Sequence, residues 1–178
     1  MKALAVFCGS RTGNDPYFMA HAAELGKIMA ENSITLIYGG GSKGIMGAVA
    51  DGVMDNGGSV TGIIPQLLLE WEQQHLGITD LRIVPDMHVR KRLMYELCDA
   101  GIVLAGGNGT LDELFEMLTW NSLKIHDKHI YILNTNGFYN HLIAHMHQMF
   151  KSEFLYDKIE NRVTILDNPA DLLPYLIS

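Results

Sequence analysis

The sequence has few basic residues, few cysteines and no long apolar run, and each scarcity excludes a class of protein. Its 178 residues carry 13 Lys and Arg against 20 Asp and Glu, a formal net charge of −7, whereas a nucleic-acid surface needs a basic face. Cys8 and Cys98 are too few and too widely spaced for a disulfide framework. The first apolar run, Ala3 to Phe7, is too short for a secretion signal, and no stretch approaches membrane-spanning length. We therefore expect a cytoplasmic protein that binds neither nucleic acid nor a membrane.

Motifs for metal binding and for several cofactors are also missing. Histidines are present, but no His-Glu-x-x-His or Cys/His ligand spacing accompanies them, and His141, His145 and His147 are typical of the wet side of a helix. No Gly-x-Ser-x-Gly occurs. The glycines of 39–44 fit Gly-x-Gly-x-x-Gly, yet the following apolar segment, 60–65, offers no Asp or Glu for a dinucleotide ribose. We expect neither a metal nor an organic cofactor.

What the sequence does have is a regular alternation of apolar runs with helix-period segments. Continuous apolar strands between helices predict a parallel sheet covered on both faces. We therefore predict one domain over residues 1–178, an α/β fold of the Rossmann-like, doubly wound type with a mainly parallel sheet. The predicted strands are Leu4–Cys8, Ile34–Tyr38, Ser59–Ile64, Leu81–Val84, Ile102–Ala105, Ile130–Leu133 and Val163–Leu166. The predicted helices are Pro16–Glu31, Ile45–Asn56, Met87–Cys98, Leu111–Leu123 and Phe138–Phe150, with a short last helix after Pro169. The longest irregular segment, Gln66–Thr79, is interpreted as a lid or a short helix.

Three glycine turns follow predicted strand ends, at 9–13, 39–44 and 106–109. Strands of a parallel sheet end at the same edge, so the three turns should lie together, where doubly wound folds bind their ligands. Glycines let the backbone approach a phosphate closely. The turn at 39–44 fits a tight strand-to-helix connection and a mononucleotide contact equally well. Gly9, Ser10, Gly40 and Gly41 are therefore candidate substrate contacts.

The segment from Gly106 to Thr110, which we call the glycine cradle, is the most informative turn. It joins an apolar strand to an amphipathic helix, and the free N–H groups of a helix start can bind an anion. Glu113 places a carboxylate one turn into that helix. Thr110 and Glu113 also match a capping box, in which both side chains satisfy backbone donors. A capping box does not need the flanking glycines, so we favour a site that acts on a phosphorylated small molecule.

Arg90 is the exceptional residue of the helix that opens at Met87. Met87, Arg90, Met94 and Leu97 share one face, so a guanidinium lies on an apolar stripe and must find an anion. The alternatives are an arginine that extends to solvent or one that pairs with a structural carboxylate. The neighbouring Lys91 and Arg92 point elsewhere and are interpreted as solvated.

At this point the chain resembles the LOG ("lonely guy") family of cytokinin-activating phosphoribohydrolases. The resemblance runs from about residue 4 to 150 and rests on Phe7-Cys8-Gly9-Ser10, on Tyr38-Gly39-Gly40-Gly41-Ser42 with Gly44-Ile45-Met46-Gly47, and on two hallmarks. These hallmarks are M-H-x-R-K, here residues 87–91, and P-G-G-x-G-T-x-x-E, here residues 105–113. The second has Ala105 in place of the proline and Asn108 in place of the usual aromatic residue.

The resemblance implies hydrolysis of the N-glycosidic bond of an adenosine-type nucleoside 5′-monophosphate, AMP or an N6-modified cytokinin ribotide. The products would be the free base and ribose 5-phosphate. It also implies a homodimer. On the family's pattern Arg90 and Glu113 match the catalytic pair. The matching substrate-binding positions are Glu72, Lys91, Gly106, Gly107, Asn108, Gly109, Thr110, Leu111, Asp112 and Thr119.

Two other functions remain open at this stage. A non-catalytic nucleotide-binding or sensor module would keep the glycine cradle, although the presence of both Arg90 and Glu113 argues against it. The family's old label, lysine decarboxylase, would require a pyridoxal phosphate Schiff-base lysine with an acidic partner. Lys43 and Lys91 are the conceivable lysines, but nothing in their sequence context marks either.

Overall fold

A computed structural model describes residues 1–69 and 73–176 of the chain. Seven strands form one sheet in the order β4-β3-β2-β1-β5-β6-β7, and every neighbouring pair is parallel. The Rossmann-like α/β prediction is confirmed, and the sheet is wholly rather than mainly parallel. The strands are β1 Ala3–Phe7, β2 Thr35–Tyr38, β3 Val60–Pro65, β4 Asp80–Val84, β5 Ala100–Val103, β6 Ile130–Leu133 and β7 Val163–Leu166.

Five α-helices connect the strands within the described residues. They are α1 Pro16–Glu31, α2 Gly44–Met54, α3 Met87–Leu97, α4 Asn108–Ser122 and α5 Asn140–Lys151. One core packs α1 and α2 on one face of the sheet, and a second packs α3, α4 and α5 on the other. This division explains the continuous apolar runs of the inner strands, because a sheet covered on both faces buries them from both sides, whereas the edge strands β4 and β7 keep exposed positions.

Local chemistry explains where the helices begin. The side chain of Asp15 accepts a hydrogen bond from the N–H of Tyr17, and Pro16 occupies the first turn, so α1 begins as predicted. Helix α4 begins at Asn108, three residues before the predicted start at Leu111. The last predicted helix is a 3₁₀ segment, Pro169–Tyr175, capped by Asn168 and Asp171.

The order in which successive strands are added to the sheet reverses at β1. Strands β2, β3 and β4 are added on one side of β1, whereas β5, β6 and β7 are added on the other. A crevice opens at such a switch point, outside the carboxyl ends of the strands, and doubly wound folds bind ligands there. The glycine turns after β1 and β5 flank this crevice, and the turn after β2 lies beside them. The prediction that the three turns share one edge is confirmed.

Part of the 66–79 segment is fastened to the turn after β2. After a 3₁₀ turn at Gln66–Leu68, the chain returns to pair with residues 39–44. Gln74 forms an antiparallel β-bridge with Gly41, and the N–H of His75 donates to the carbonyl of Gly40 over 2.9 Å. The ring Nε2 of His75 lies 2.9 Å from the carboxylate of Asp51. Residues 73–75 are therefore a fixed cover over the second glycine turn. Glu72 and Trp71 lie outside the described residues, and a lid remains a prediction.

No helix in the described part of the chain is both long and apolar enough to span a bilayer.

Candidate functional site

The glycine turns after β1 and β5 are joined by backbone hydrogen bonds. The N–H of Gly9 donates to the carbonyl of Ala105 over 3.0 Å, and the N–H of Met46 at the start of α2 donates to Gly9 over 3.3 Å. A Cβ added at Gly9 would stand 3.3 Å from the Cα of Gly106, and one added at Gly106 would stand 3.0 Å from the nitrogen of Gly9, so a side chain at either position would push the two turns apart. The contact fixes three strand ends around one crevice.

A cavity of about 390 Å³ opens beside this contact. Its wall combines the polar turn after β1 with an aromatic pair, since Phe18 and Phe138 meet edge to face with ring centroids 5.4 Å apart. The full lining is Gly9, Ser10, Arg11, Gly13, Asn14, Phe18, Ile45, Ala105, Gly106, Gly107 and Phe138. The volume suits a small organic molecule, and Gly106 and Gly107 connect the cavity to the glycine cradle.

The glycine cradle is open toward solvent where a ligand would approach. Gly107 is the N-cap of α4 and makes no side-chain cap bond, and 107–109 are all exposed. Cβ atoms added at Gly107 and Gly109 would meet nothing within 4 Å, whereas one at Gly106 would overlap the side chain of Thr110. The first N–H groups of a helix lack backbone partners, so an anion can bind them without displacing a side chain.

The capping-box interpretation of Thr110 is wrong. Thr110 is the third residue of α4 rather than the residue before it, because the helix already starts at Asn108. Its side chain is 3% exposed and packs into the space that Gly106 leaves by having no Cβ. Thr110 therefore packs on the inner side of the turn, and backbone groups face the open side.

Arg90 is buried and points to the second glycine turn. It is 3% exposed, and its Nη2 donates to the carbonyl of Gly39 over 3.3 Å. A Cβ at Gly39 would overlap the guanidinium, so the glycine that ends β2 makes room for the arginine. The predicted location of Arg90 on the apolar face of α3 is confirmed, and the alternative of an arginine that extends to solvent is wrong.

Lys91 is also buried, which corrects its interpretation as a solvated residue. It is 8% exposed, and its Nζ lies 3.0 Å from Asp112 and 3.0 Å from Glu116. Burial alone would lower the pKa of Lys91, but the hydrogen bonds to these two carboxylates outweigh it and the pKa is raised. Lys91 is thus a fully charged bridge from α3 to α4. Arg92 faces outward as predicted, in an exposed pair with Glu96.

Glu113 is a buried carboxylic residue, 8% exposed, in the second turn of α4. The phenol of Tyr95 on α3 lies against it, and its single O–H is shared between Glu116 Oε2 at 2.8 Å and, over a longer 3.3 Å, the backbone carbonyl of Glu113. Arg90 and Lys91 are consecutive on α3, and Asp112 and Glu113 are consecutive on α4. The Lys91–Asp112 pair therefore draws together the two segments that carry Arg90 and Glu113.

The remaining predicted substrate contacts fall into different surroundings. Ser10 and Asn108 are exposed at the crevice, and Leu111 is half-buried in the core beneath α4. Gly40 and Gly41 are buried under residues 73–75. Thr119 is exposed on a later turn of α4, bonds the carbonyl of Phe115 over 2.7 Å, and lines a separate cavity of about 150 Å³ toward α5. These six substrate-contact assignments remain predictions.

The described residues contain no group of three or more His, Cys, Asp or Glu side chains that could hold a metal ion. His141, His145 and His147 are exposed on α5, as predicted from their spacing. Cys8 and Cys98 are both buried, and burial raises the pKa of the Cys98 thiol to about 11, so this thiol stays protonated.

Comparison with known proteins decides the family. A family model described as "Possible lysine decarboxylase" matches residues 46–176. The chain is 41% identical to the probable cytokinin riboside 5′-monophosphate phosphoribohydrolase LOG4 of Oryza sativa subsp. japonica, over 99% of this chain and 76% of that protein. It is 39% identical to the cytokinin riboside 5′-monophosphate phosphoribohydrolase of Rhodococcoides fascians, over 92% of this chain and 83% of that protein. The chain belongs to the LOG family.

A solved structure supports the fold independently. The Moco carrier protein from Chlamydomonas reinhardtii superposes with a TM-score of 0.73 at 18% identity, over 99% of this chain and 97% of that chain. At this identity the likeness concerns the fold alone. The resemblance to the LOG family that the two hallmarks indicated is therefore confirmed by sequence, on a fold shared more widely.

The two LOG hallmarks begin α3 and α4, but sequence reasoning missed the residues that connect them. Gly39 was noted only as part of a glycine fingerprint, although it is the glycine that Arg90 requires. Glu116 and Tyr95 were not singled out at all. Their spacing held a signal, since Glu116 follows Glu113 by three and Tyr95 follows Lys91 by four, which places each pair on one helix face.

Proposed function

We propose that this chain hydrolyses the N-glycosidic bond of an adenosine-type nucleoside 5′-monophosphate, AMP or an N6-modified adenosine monophosphate. The products are the free base and ribose 5-phosphate. The observation that carries the proposal is the joining of a buried Arg90 and a buried Glu113, through α3 and α4, next to an open helix N-terminus at the switch point. The names of the relatives in rice and Rhodococcoides fascians support the same reaction.

The glycine cradle binds the 5′-phosphate in this proposal. The backbone N–H groups at the start of α4 and the positive end of its dipole favour a dianion, and Gly107 and Gly109 let its oxygens reach the backbone. Binding energy at the phosphate then orients the reacting carbon of the ribose. Ser10 and Arg11 line the adjoining cavity and contribute a hydroxyl and a positive charge.

Glu113 and Arg90 act on the ribose. As the bond between C1′ and the base nitrogen breaks, its electron pair leaves with the base and positive charge develops on the ribose. The carboxylate of Glu113 stabilises that charge and accepts a proton from the water whose oxygen bonds to C1′. The base takes up a proton from solvent as it leaves, and Glu113 returns the proton of the attacking water to solvent, so that one water is consumed in total. From its buried position Arg90 holds an anion in place, either the carboxylate of Glu113 or the 5′-phosphate. Lys91 and Asp112 keep α3 and α4 in register.

The surroundings of the two conceivable Schiff-base lysines favour this reaction over a decarboxylase. A Schiff-base lysine must present an uncharged amine. Lys91 is held between two carboxylates that raise its pKa, and Lys43 is exposed at the start of α2. The environment of Lys91 therefore holds its proton rather than releasing it.

Chromatographic detection of free base tests the proposal directly. Wild type is incubated with AMP, GMP, CMP and isopentenyl-AMP beside Glu113→Gln and Arg90→Ala, with Arg92→Ala as a matched control on the exposed side of α3. We expect base release from the adenine nucleotides by wild type and Arg92→Ala, and loss of release in the other two. Binding without release of any base by wild type would refute the hydrolase and favour the sensor module.

We also propose that the enzyme is a single-domain cytoplasmic homodimer. Large apolar side chains are exposed where α4 ends and after α5: Leu123 is 65%, Ile125 59%, Phe154 80% and Tyr156 98% exposed. Apolar surface of this kind commonly marks an interface. Light scattering coupled to size-exclusion chromatography should give twice the mass of 19.8 kDa, and a monomeric mass would contradict the dimer.

A further inference from the structure

We propose that Tyr95 and Glu116 are positioning residues for the hydrolysis, which hold the backbone of Glu113 in place from the side of α3. The inference rests on the proposed function, because Glu113 is the group that they position. Neither residue belongs to the two hallmark motifs. Both are connected to Glu113 by contacts that cross from one helix to the other.

The ring of Tyr95 is held in place by its neighbours in the core. Tyr95 is 1% exposed, and its ring packs edge to face against Phe7 of β1 and Trp120 of α4, with centroids 5.9 and 5.1 Å away. The ring therefore cannot swing, and the phenol oxygen has a set location between the carbonyl of Glu113 and Glu116. Burial raises the pKa of Tyr95, so the phenol remains a proton donor throughout the neutral range.

Glu116 connects this phenol to the charged bridge. Its Oε2 accepts from Tyr95 at 2.8 Å and lies 3.0 Å from Lys91 Nζ, which is also 3.0 Å from Asp112. Four side chains thus form one chain of contacts, Tyr95–Glu116–Lys91–Asp112, that begins and ends beside Glu113. The Lys91 side chain is 10% exposed and Glu116 25%, so solvent competes little for their bond, whereas Asp112 is 58% exposed and forms the solvent side of the cluster.

The geometry gives the cluster a purpose beyond joining two helices. Glu113 must face the ribose to within a fraction of an ångström, since misplacement of about 1 Å costs on the order of 100-fold in rate. The cluster contacts the carbonyl of Glu113 itself, the preceding residue Asp112, and Glu116 one turn later on α4. A device that locates one carboxylate should affect the rate of bond cleavage rather than the affinity for the nucleotide.

Steady-state kinetics with AMP separates these effects. We expect Tyr95→Phe to lower kcat about 10-fold and Glu116→Ala about 100-fold, with KM within about twofold of wild type. Glu116→Gln keeps an acceptor for the phenol and should recover much of the loss. Because Tyr95 and Glu116 act through the same contact, losing both should cost no more than losing Glu116. The double variant should therefore be no slower than Glu116→Ala alone. Tyr131→Phe, in a buried tyrosine on β6, is the matched control and should keep wild-type kinetics.

The outcomes distinguish the inference from the function beneath it. Wild-type kcat in both single variants, additive losses in the double variant, or a rise in KM alone would each overturn the positioning role. If wild type releases no base, the proposed function fails, and crystal structures of wild type and Glu116→Ala decide the inference. A shift of about 1 Å or more in the Glu113 carboxylate would support it, and an unmoved carboxylate would overturn it.

Discussion

Replacing Gly109 by alanine should make the protein more stable and less active at once. Gly109 lies in the first turn of α4 without a positive φ, and an added Cβ would meet nothing within 4 Å. Alanine in place of glycine within a helix is worth about 0.5–1 kcal/mol. For a chain of this size that raises the melting temperature by ~1–4 °C.

The same methyl group occupies the open side of the glycine cradle. If the 5′-phosphate binds the backbone there, Gly109→Ala costs a charge-assisted hydrogen bond of ~1.5–3 kcal/mol. That corresponds to a rise of roughly 10- to 150-fold in KM for AMP. Base release over a range of AMP concentrations measures this value, and thermal unfolding followed by circular dichroism measures the stability.

Gly57→Ala is the matched control for this substitution. A Cβ at Gly57 also meets nothing within 4 Å, but the residue has a φ of +74° and lies after α2, away from the crevice. We expect it to lose ~1–2 kcal/mol of stability and to keep the wild-type KM. A wild-type KM in Gly109→Ala would refute the assignment of the phosphate to this turn, and a fall in its melting temperature would refute the stability argument.

Three further substitutions or treatments test the surroundings of the site. Gly39→Ala should abolish base release, because its Cβ would overlap the guanidinium of Arg90, and activity per folded molecule checks this. Burial lowers the pKa of His126 below 6.5, so the unfolded chain binds more protons as the pH falls through 6.5 and the folded state loses stability. Urea unfolding between pH 7 and 5 should therefore show a smaller loss in His126→Gln than in wild type. Ellman's reagent should label neither Cys8 nor Cys98 in the native protein and both after unfolding, since both thiols are buried.

Much of the fold followed from the sequence because its strands are buried on both faces. An apolar run such as Ile130–Leu133 must be removed from water on both faces, which an inner strand of a covered sheet achieves. The structure places that strand at the predicted residues. The burial of Arg90 could be predicted for a similar reason, since its place on a helix face depends only on neighbours within α3. Predictions succeeded where the cause lies within a few residues of its effect.

Predictions failed where the cause lies on another element. Lys91 was interpreted as solvated because its partners, Asp112 and Glu116, belong to a helix that follows β5. The start of α4 was placed too late because Asn108 and Gly109 are poor helix formers. Their helical conformation depends on Thr110 packing against the bare Cα of Gly106, a contact that spacing alone does not reveal.

The reversal of strand order at β1 has a consequence for how the protein folds. Leu4 on β1 pairs with Ala100 on β5, and the carboxylate of Asp99 accepts from the N–H groups of Lys2 and Ala3 across the same gap in sequence. The chain between β1 and β5 must lose conformational entropy before the contacts between the two strands can stabilise it, which makes such long-range pairings slow. The crevice does not exist until this pairing is made. In refolding experiments nucleotide binding should therefore appear only with the slowest phase, after the helices have already formed.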